Sequence, residues 1–400
     1  MDDAQLRHQH LYNQVNVSGG FAVLGNQYNL TQTVDGNLEQ QQWQRLLDSL
    51  WYAEMNQRLN DIADNAYDTF EWVFNDLSDD SHPGSEILTE WLTQENGVLL
   101  VQGKAGSGKS TFSKFVFQHD ETRGRLQTWA AGRPLATLFH SFWRVGAQLQ
   151  QNFKGFLATL LMQVLEQTLD CTRITAIVSK YKLKKSLNDW SIKELRKLLL
   201  QVLNEFPGCV SIFVDGFDEF DQQDDIDKLH DFLIDLQTNT IHYKLYVSTR
   251  PIPSIVSRFE DATTLQLPEL TKSDIEEYVK RTLEAKLRPK PFDEEKNWQI
   301  STITQEMCAK ADGVFLWVHY VLHNICGGIR IGDDLSALLK RIRQLPSAIQ
   351  DLYRQMWNLQ NTDNAIHGEE AAMIFGSASI FRYLYSSLQC QWTLPWVTII

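Results

Sequence analysis

A glycine-rich loop that ends in a lysine and a hydroxyl is the stretch of this sequence best suited to chemistry. Residues 103–110 read GKAGSGKS and fit the pattern G-x-x-x-x-G-K-[ST]. Glycines let backbone N–H groups point inward around an anion, and a following helix N-terminus adds partial positive charge. Lys109 would reach the β- and γ-phosphates of a nucleotide, and the Ser110 hydroxyl would ligate Mg²⁺. The predicted nucleotide-binding residues are Gly103, Lys104, Ala105, Gly106, Ser107, Gly108, Lys109, Ser110 and Thr111.

The residues on both sides of this loop have the patterns of a strand and a helix. Residues 98–101 form a short apolar run, which is typical of a buried parallel strand. After Lys109, the apolar residues Phe112, Phe115 and Val116 recur at three- and four-residue steps, as on one helix face. A glycine-rich turn without a ligand is the competing interpretation. The flanking strand and helix disfavour it, because they are the context that a phosphate loop requires.

Three carboxylates follow a second apolar run. Residues 210–214 read VSIFV, and this β-prone composition predicts a strand buried on both faces. Asp215, Asp218 and Glu219 come directly after it. Unpaired carboxylates this close repel each other, and a divalent cation removes the conflict. We therefore predict Asp215 as a Mg²⁺ ligand together with Ser110.

The elements that must position these groups alternate between strand and helix patterns. Further strands are predicted at 135–142, 245–248 and 264–267, and apolar helices at 156–169 and 195–203. This alternation predicts an α/β fold with a parallel sheet flanked by helices. Ligands of such sheets bind beyond the carboxyl ends of the strands. The loop, the carboxylates and Arg250 are all expected at that edge.

The rest of the chain divides into regions of different character. Residues 1–37 are polar and rich in Gly, Asn and Gln, and residues 38–85 have helical spacing. The sheet domain is predicted at 86–268 and a helical domain at 269–345, with helices at 274–287, 302–310, 314–326 and 335–345. Residues 346–400 keep helical spacing and end in an abrupt apolar run, which indicates truncation.

The composition indicates a folded protein and argues against nonspecific binding of nucleic acid. The chain has 400 residues, 43% of them hydrophobic, and a formal net charge of −13. This charge opposes a nonspecific hold on phosphate backbones, so we expect no nucleic-acid partner. The sequence has no apolar run of bilayer length, no apolar segment near residue 1, and five scattered cysteines. We expect a cytoplasmic protein with reduced cysteines and no membrane span.

With these motifs placed, the chain resembles the NACHT-type P-loop NTPases of the STAND class, especially fungal ones of the vegetative-incompatibility type. The matching motifs occur in the same order in this chain and in the family, and they span about residues 40 to 360. They are TFEWVF (69–74), GKAGSGKST (103–111), FVDGFDEFD (213–221), VSTRP (247–251), KADGVFLWV (310–318) and LPSAIQDLY (345–353).

The resemblance implies a nucleotide switch that is closed with ADP and oligomeric with ATP. Asp218 and Glu219 would orient or polarise the attacking water, and Arg250 would sense the γ-phosphate. Gly313 and Phe315 would lie near the adenine, although Phe315 stands where relatives often carry proline. Residues 346–400 would be a partial winged-helix region. For residues 13–37 two interpretations stay open, a flexible leader and an amyloid-signalling motif.

We therefore expect an ATP/ADP-binding signalling NTPase that needs Mg²⁺, hydrolyses slowly and self-associates on activation, with an unknown downstream partner. No residue is an evident arginine finger, so part of the transition-state stabilisation is missing or comes from a neighbouring subunit. Two other classes stay open: a small-substrate P-loop phosphotransferase, and an interaction scaffold with degenerate nucleotide turnover.

Overall fold

Five parallel strands form the centre of the protein. In the computed structural model their order across the sheet is β2-β3-β4-β1-β5. Their bounds are β1 Gly97–Gln102, β2 Leu135–Ser141, β3 Cys209–Asp215, β4 Tyr243–Thr249 and β5 Thr263–Gln266. The predicted α/β class with a parallel sheet is confirmed, and each predicted strand lies within two residues of its observed bounds.

The structure describes residues 34–66, 69–74, 83–94, 97–168, 172–221, 226–239, 242–288, 293–349, 351–352 and 354. The helices before β3 are α1 Val34–Leu50, α2 Gln57–Asp61, α3 Pro83–Thr93, α4 Lys109–Gln118, α5 Asp120–Ala130, α6 Gln148–Gln151, α7 Phe153–Glu166, α8 Thr172–Val178 and α9 Ile192–Glu205. After β3 come α10 Ile226–Asn239, α11 Pro253–Val256, α12 Leu267–Leu270, α13 Lys272–Leu287, α14 Glu294–Ala311, α15 Phe315–Ile331 and α16 Leu335–Gln344.

Strand residues alternate between two apolar cores, one on each face of the sheet. Leu99 and Val101 of β1 belong to the core that α3, α4 and α5 cover. Leu100 of β1 belongs to the core on the opposite face, which α7, α9 and α10 cover. Because successive side chains of a strand point to opposite faces, a run that is apolar at every position requires helices on both sides. The helix after β1 therefore lies on the opposite face from the helix after β3. The chain crosses from β1 to the edge strand β2 and then runs back across the sheet through β3 and β4 to β5.

Two glutamines protect the edge of the sheet at β2. The Gln163 side chain accepts from the N–H of Phe139 at 2.8 Å and donates to its carbonyl at 2.9 Å. Gln167 does the same for Thr137, with both distances 3.0 Å. These amide side chains occupy the positions of a further strand, so the exposed edge has its hydrogen bonds satisfied.

The helical domain has a core of its own, around the fully buried Trp317 of α15. The four helices predicted between 274 and 345 are all observed. Helix α14 is longer than predicted and begins at Glu294, because the Asp293 carboxylate caps it by accepting from the N–H of Lys296. Its early turns lacked an apolar stripe in the sequence, and Trp298 is indeed exposed.

Other differences lie near the ends and in the connections. Helix α1 begins at Val34, inside the region expected to be a polar leader, while residues 1–33 and 355–400 lie outside the described part of the chain. Helices α5, α6, α8, α10, α11 and α12 were not predicted from the sequence. Within the described residues, no helix is both long enough and apolar enough to cross a bilayer.

Candidate functional site

The loop between β1 and α4 has the backbone that its glycines predict. Gly106 and Gly108 have φ angles of 76° and 93°, which favour glycine. Gly103 is needed for a different reason, since a Cβ there would meet the Ser107 hydroxyl oxygen at 2.4 Å. That hydroxyl is buried and has no hydrogen-bond partner in the part of the chain that the structure describes. A buried polar atom without a partner at the centre of a phosphate-binding motif fits an anion site.

Lys109 is fixed at the start of α4 with its amine folded over the loop. The Nζ atom donates to the carbonyls of Gly103 and Lys104 at 2.8 and 3.0 Å. An ammonium has three N–H donors, so one is left to point at an anion. Burial lowers the pKa of Lys109, and the nearby carboxylates Asp218 and Asp215 act in the opposite direction. Ser110 and Thr111 lie beside it in the first turn, both half-buried.

Asp215 lies at the end of β3 and is only 1% exposed. Three serine hydroxyls surround its carboxylate. Ser141 of β2 and Ser248 of β4 donate at 2.7 and 2.6 Å, and the Ser113 hydroxyl of α4 lies 3.0 Å from Oδ1. Hydrogen bonds from donors stabilise the ionised form of a buried carboxylate. Asp215 is therefore held in one orientation toward the loop by three separate elements.

These residues fit Mg²⁺ as a companion of a bound nucleotide. A carboxylate has about four acceptor positions, and the three serines leave one for a metal-bound water. Among the described residues, no group of three or more His, Cys, Asp or Glu side chains could hold a metal. Mg²⁺ is commonly held by one or two carboxylates together with waters and substrate phosphates. The oxygen atoms at this edge that such a metal would use are those of the Asp215 carboxylate and the Ser110 hydroxyl.

Asp218 and Arg250 form an ion pair behind the loop. The Arg250 Nε donates to Oδ2 of Asp218 at 2.5 Å, and its backbone N–H donates to Oδ1 at 2.9 Å. The Asp218 side chain is 2% exposed and that of Arg250 25%. Arg144, in the loop after β2, donates to the Asp218 carbonyl at 2.7 Å. Asp218 and Arg250, each of which is predicted to act on a bound nucleotide, thus form an ion pair with each other.

The pKa of Glu219 is strongly shifted from its ordinary value. Burial and the neighbouring Asp218 raise its pKa to about 7. Arg58 of α2 lowers this pKa, as does a hydrogen bond from the N–H of Arg144, 3.2 Å from Oε2. A carboxyl whose pKa lies near neutrality can accept a proton from a water molecule at physiological pH.

The helical domain contacts the loop directly at the start of α15. The N–H of Leu316 donates to the carbonyl of Gly106 at 3.0 Å, and Lys104 pairs with Asp312. Gly313 has a φ of 74° and packs on Pro268, where a Cβ would lie 2.5 Å from the proline ring. Phe315, predicted near the adenine together with Gly313, packs 5.5 Å from Tyr278 inside the helical domain. The side chains of Leu316 and Val314 both lie against Gly106 of the loop.

Several residues that build the site were not predicted from the sequence. Phe70 has a left-handed φ of 72°, and its ring faces Gly108. The N–H of Phe70 and the indole N–H of Trp72 both donate to Oδ2 of the buried Asp274 on α13, at 3.2 and 2.8 Å. The TFEWVF match could have signalled Phe70 and Trp72. Nothing in the sequence singles out Asp274, the serines around Asp215, Arg58 or Arg144, because each belongs to the site only through its position in space.

Strand, glycine loop and helix at β1, with a buried aspartate at the end of β3, define the protein as having a P-loop NTPase-like fold. The loop, Asp215, Asp218, Glu219 and Arg250 all lie at the carboxyl edge of one parallel sheet.

Comparisons with known proteins give one family model over part of the chain and distant structural likenesses. Residues 68–250 match the family model described as Nephrocystin 3, N-terminal. Among solved structures, the Aeropyrum pernix ORC1 protein in complex with DNA is 12% identical, with a TM-score of 0.38 and 77% of each chain covered. The Aeropyrum pernix ORC2 protein in its ADP form is 13% identical, with a TM-score of 0.36, 65% of this chain and 66% of that chain covered. No curated protein matches the sequence.

Proposed function

We propose that this protein is a nucleotide switch of the STAND class, which binds ATP and ADP with Mg²⁺ and hydrolyses ATP slowly. One observation carries the proposal. The Ser113 hydroxyl lies 2.8 Å from the carbonyl of Lys109 and 3.0 Å from Oδ1 of Asp215, which links the phosphate-binding lysine to the predicted metal ligand.

Each group of the site has a task in this proposal. The free N–H of Lys109 and the loop amides hold the phosphates, and Ser107 contributes the hydroxyl that has no other partner in the described chain. Ser110 and Asp215 hold Mg²⁺, which neutralises phosphate charge when bound. Glu219 accepts a proton from the attacking water, since its pKa is about 7. Arg250 is paired with Asp218. Its guanidinium therefore contacts the γ-phosphate only if this ion pair breaks or if the guanidinium binds Asp218 and the phosphate at the same time.

The contacts between loop and helical domain support a switch rather than a simple hydrolase. Leu316 and Asp312 bind the same loop that would take the phosphates, and Asp274 holds the segment that covers Gly108. A nucleotide that moves the loop therefore changes contacts in another domain. Such differential contacts are what allows a ligand to bias a two-state arrangement.

The NACHT-type resemblance, with its KADGVFLWV and LPSAIQDLY matches, supports assigning the switch to fungal signalling of the incompatibility type. On the same ground we propose self-association in the ATP state, a cytoplasmic location and no nucleic-acid partner. The net charge of −13 supports the last point.

Equilibrium binding of fluorescent ATP and ADP tests the proposal. Lys109→Ala should weaken binding by at least about thirtyfold, because a charge-assisted hydrogen bond to phosphate is lost. Lys193→Ala, at an exposed position of α9, is the matched control and should bind as the parent does. Equal affinity of the Lys109 variant and the control would refute the site.

Turnover assays separate the two other classes. Rapid hydrolysis that a small acceptor stimulates would indicate a phosphotransferase. Failure of the purified parent to bind either nucleotide in Mg²⁺ would indicate a scaffold.

A further inference from the structure

The connection between α8 and α9 is strongly basic, although the protein as a whole is acidic. Residues 179–197, here called the basic segment, contain seven Lys or Arg and two Asp or Glu, a formal charge of +5. The whole chain carries −13. The basic segment contains none of the residues of the proposed nucleotide site. A concentration of positive charge on the surface attracts partners of opposite charge, so this segment needs an explanation of its own.

Both acids of the basic segment are engaged by the segment itself. The Asp189 carboxylate accepts from the backbone N–H groups of Lys185 and Ser186, at 2.9 and 3.0 Å. The Glu194 carboxylate accepts from the N–H and the hydroxyl of Ser191, at 2.9 and 2.8 Å. These carboxylates therefore hold the backbone of the turn and the start of α9.

Only two of the seven cations are neutralised by an ion pair. Lys184 pairs with Glu194 at 2.9 Å, and Arg196 pairs with Asp235 of α10. The other five cations are lysines with exposed side chains and no ion-pair partner in the described part of the chain: Lys180, Lys182, Lys185, Lys193 and Lys197.

An apolar side chain projects from the turn between these lysines. Leu183 is 83% exposed, and a side chain this exposed projects from the surface rather than lining a pocket. Its neighbours anchor the turn. The N–H of Lys184 donates to the carbonyl of Tyr181 at 2.9 Å, and the Tyr181 ring stacks on Trp190 with centroids 5.0 Å apart. Trp190 is buried, and its indole N–H donates to the Ser49 hydroxyl of α1 at 3.1 Å. The protein thus presents Leu183 to solvent from an anchored base.

We propose that the basic segment is a docking surface for anionic lipid headgroups at the surface of a bilayer. The lysine amines contact the headgroups, and Leu183 enters the boundary between headgroups and acyl chains. The long lysine stems can lie along the apolar boundary while their amines stay in the polar layer. An acidic protein or a DNA duplex would neutralise the lysines too, but neither offers an apolar layer to a leucine that projects from the surface.

The acidic remainder of the protein does not prevent this contact. At physiological ionic strength the Debye length is about 8 Å, so acids farther than this from the bilayer are largely screened. Each lysine at an anionic surface strengthens binding about fivefold. The contact therefore also orients the protein, with the basic segment toward the lipid and the acidic surfaces away from it.

Co-sedimentation of the full chain with vesicles, without nucleotide, tests the proposal. The vesicles are phosphatidylcholine alone and phosphatidylcholine with about 30 mol% phosphatidylserine, the anionic lipid that serves as the probe. The parent should bind the anionic vesicles at least about tenfold more tightly, and less tightly as salt is added. A Lys182→Gln, Lys185→Gln variant should lose at least about tenfold in affinity for them. Leu183→Ser should lose about tenfold, because the apolar contact is removed.

Matched variants at other exposed positions serve as controls. Lys272→Gln with Lys280→Gln removes two exposed lysines of α13, and Ile331→Ser replaces an apolar side chain of α15 that is 73% exposed. Both controls should bind the vesicles as the parent does. Equal binding of the parent to neutral and anionic vesicles would overturn the proposal.

The same proteins are tested against a polyglutamate peptide and a short DNA duplex, and their self-association is measured by light scattering. Salt-sensitive binding to one of these, or to a second copy of the chain, without vesicle binding would identify a different partner and refute the lipid surface. The proposed nucleotide switch is judged separately by ATP binding of Lys109→Ala. Either proposal can therefore fail while the other stands.

Discussion

Ser113 and Asp215 are separated by 102 positions in the chain, yet the hydroxyl of one lies 3.0 Å from the carboxylate of the other. The same hydroxyl lies 2.9 Å from that of Tyr246 on β4. Three segments of sequence therefore meet around a single serine in the first turns of α4. This arrangement makes the loop and the carboxylate cluster parts of one site.

Asp215→Asn should remove the Mg²⁺ dependence of ATP binding. The amide keeps the volume of the side chain but cannot replace the charge that a divalent cation requires. We expect affinities with Mg²⁺ and with EDTA to differ less than about threefold in this variant. Titration of fluorescent ATP under both conditions measures the effect. Retention of the parent's Mg²⁺ dependence would place the metal on other residues.

Glu219→Gln should stabilise the protein at alkaline pH while lowering hydrolysis. The folded chain holds the Glu219 proton up to a pKa of about 7, above the ordinary glutamate value of 4.5. The free energy of unfolding therefore falls as pH rises between these two values, and the penalty is complete above pH 7. The variant should gain about 1–3 kcal/mol over the parent at pH 8 and nothing near pH 4. Urea unfolding at both values of pH measures this difference.

Glu194 provides a control because its pKa is shifted in the opposite direction to that of Glu219. Hydrogen bonds that its carboxylate accepts from Ser191 and Lys184 lower its pKa to about 2, so its stabilising contribution is present above pH 4.5 and is lost as pH falls toward 2. Glu194→Gln should thus destabilise the protein at pH 8. If both variants shift stability in the same direction there, the burial of Glu219 is not the cause.

Asp274→Ala should loosen the helical domain from the nucleotide loop. The substitution leaves the N–H of Phe70 and the indole N–H of Trp72 without their acceptor in a buried place. We expect a loss of about 2–3 kcal/mol in unfolding free energy and a faster release of bound ADP. Stopped-flow displacement of a fluorescent ADP measures the rate. Asp334→Ala, which removes the α16 N-cap in the same domain, should destabilise without changing that rate.

The Gln163→Leu, Gln167→Leu double variant should expose the edge of the sheet. Both side chains bond to the backbone of β2, and leucine would leave two N–H and two carbonyl groups unsatisfied. We expect a loss of about 2–4 kcal/mol and concentration-dependent aggregation, because an open strand edge pairs with other chains. Urea unfolding and light scattering measure the two effects. Unchanged stability would mean that water satisfies this edge equally well.

Much of the fold followed from local patterns. The apolar runs at 98–101 and 210–214 are strands because only a sheet covered on both faces buries every successive side chain. The glycines of the loop mark left-handed backbone, and the alternation of strands with helices requires a parallel sheet. These features depend on neighbours in the chain, so the sequence by itself determined the fold class, the loop and the edge at which Asp215 and Arg250 lie.

The partners of each site residue were decided only by the tertiary structure. Arg250 pairs with Asp218, Leu316 donates to the carbonyl of Gly106, and Asp274 accepts from two donors more than 200 positions away. None of these contacts leaves a periodic or spaced signal, because hydrogen bonds and ion pairs depend on distance in space and not on separation in sequence. The order of strands, which carries Ser141 and Ser248 to the two sides of Asp215, is the physical reason that the site exists.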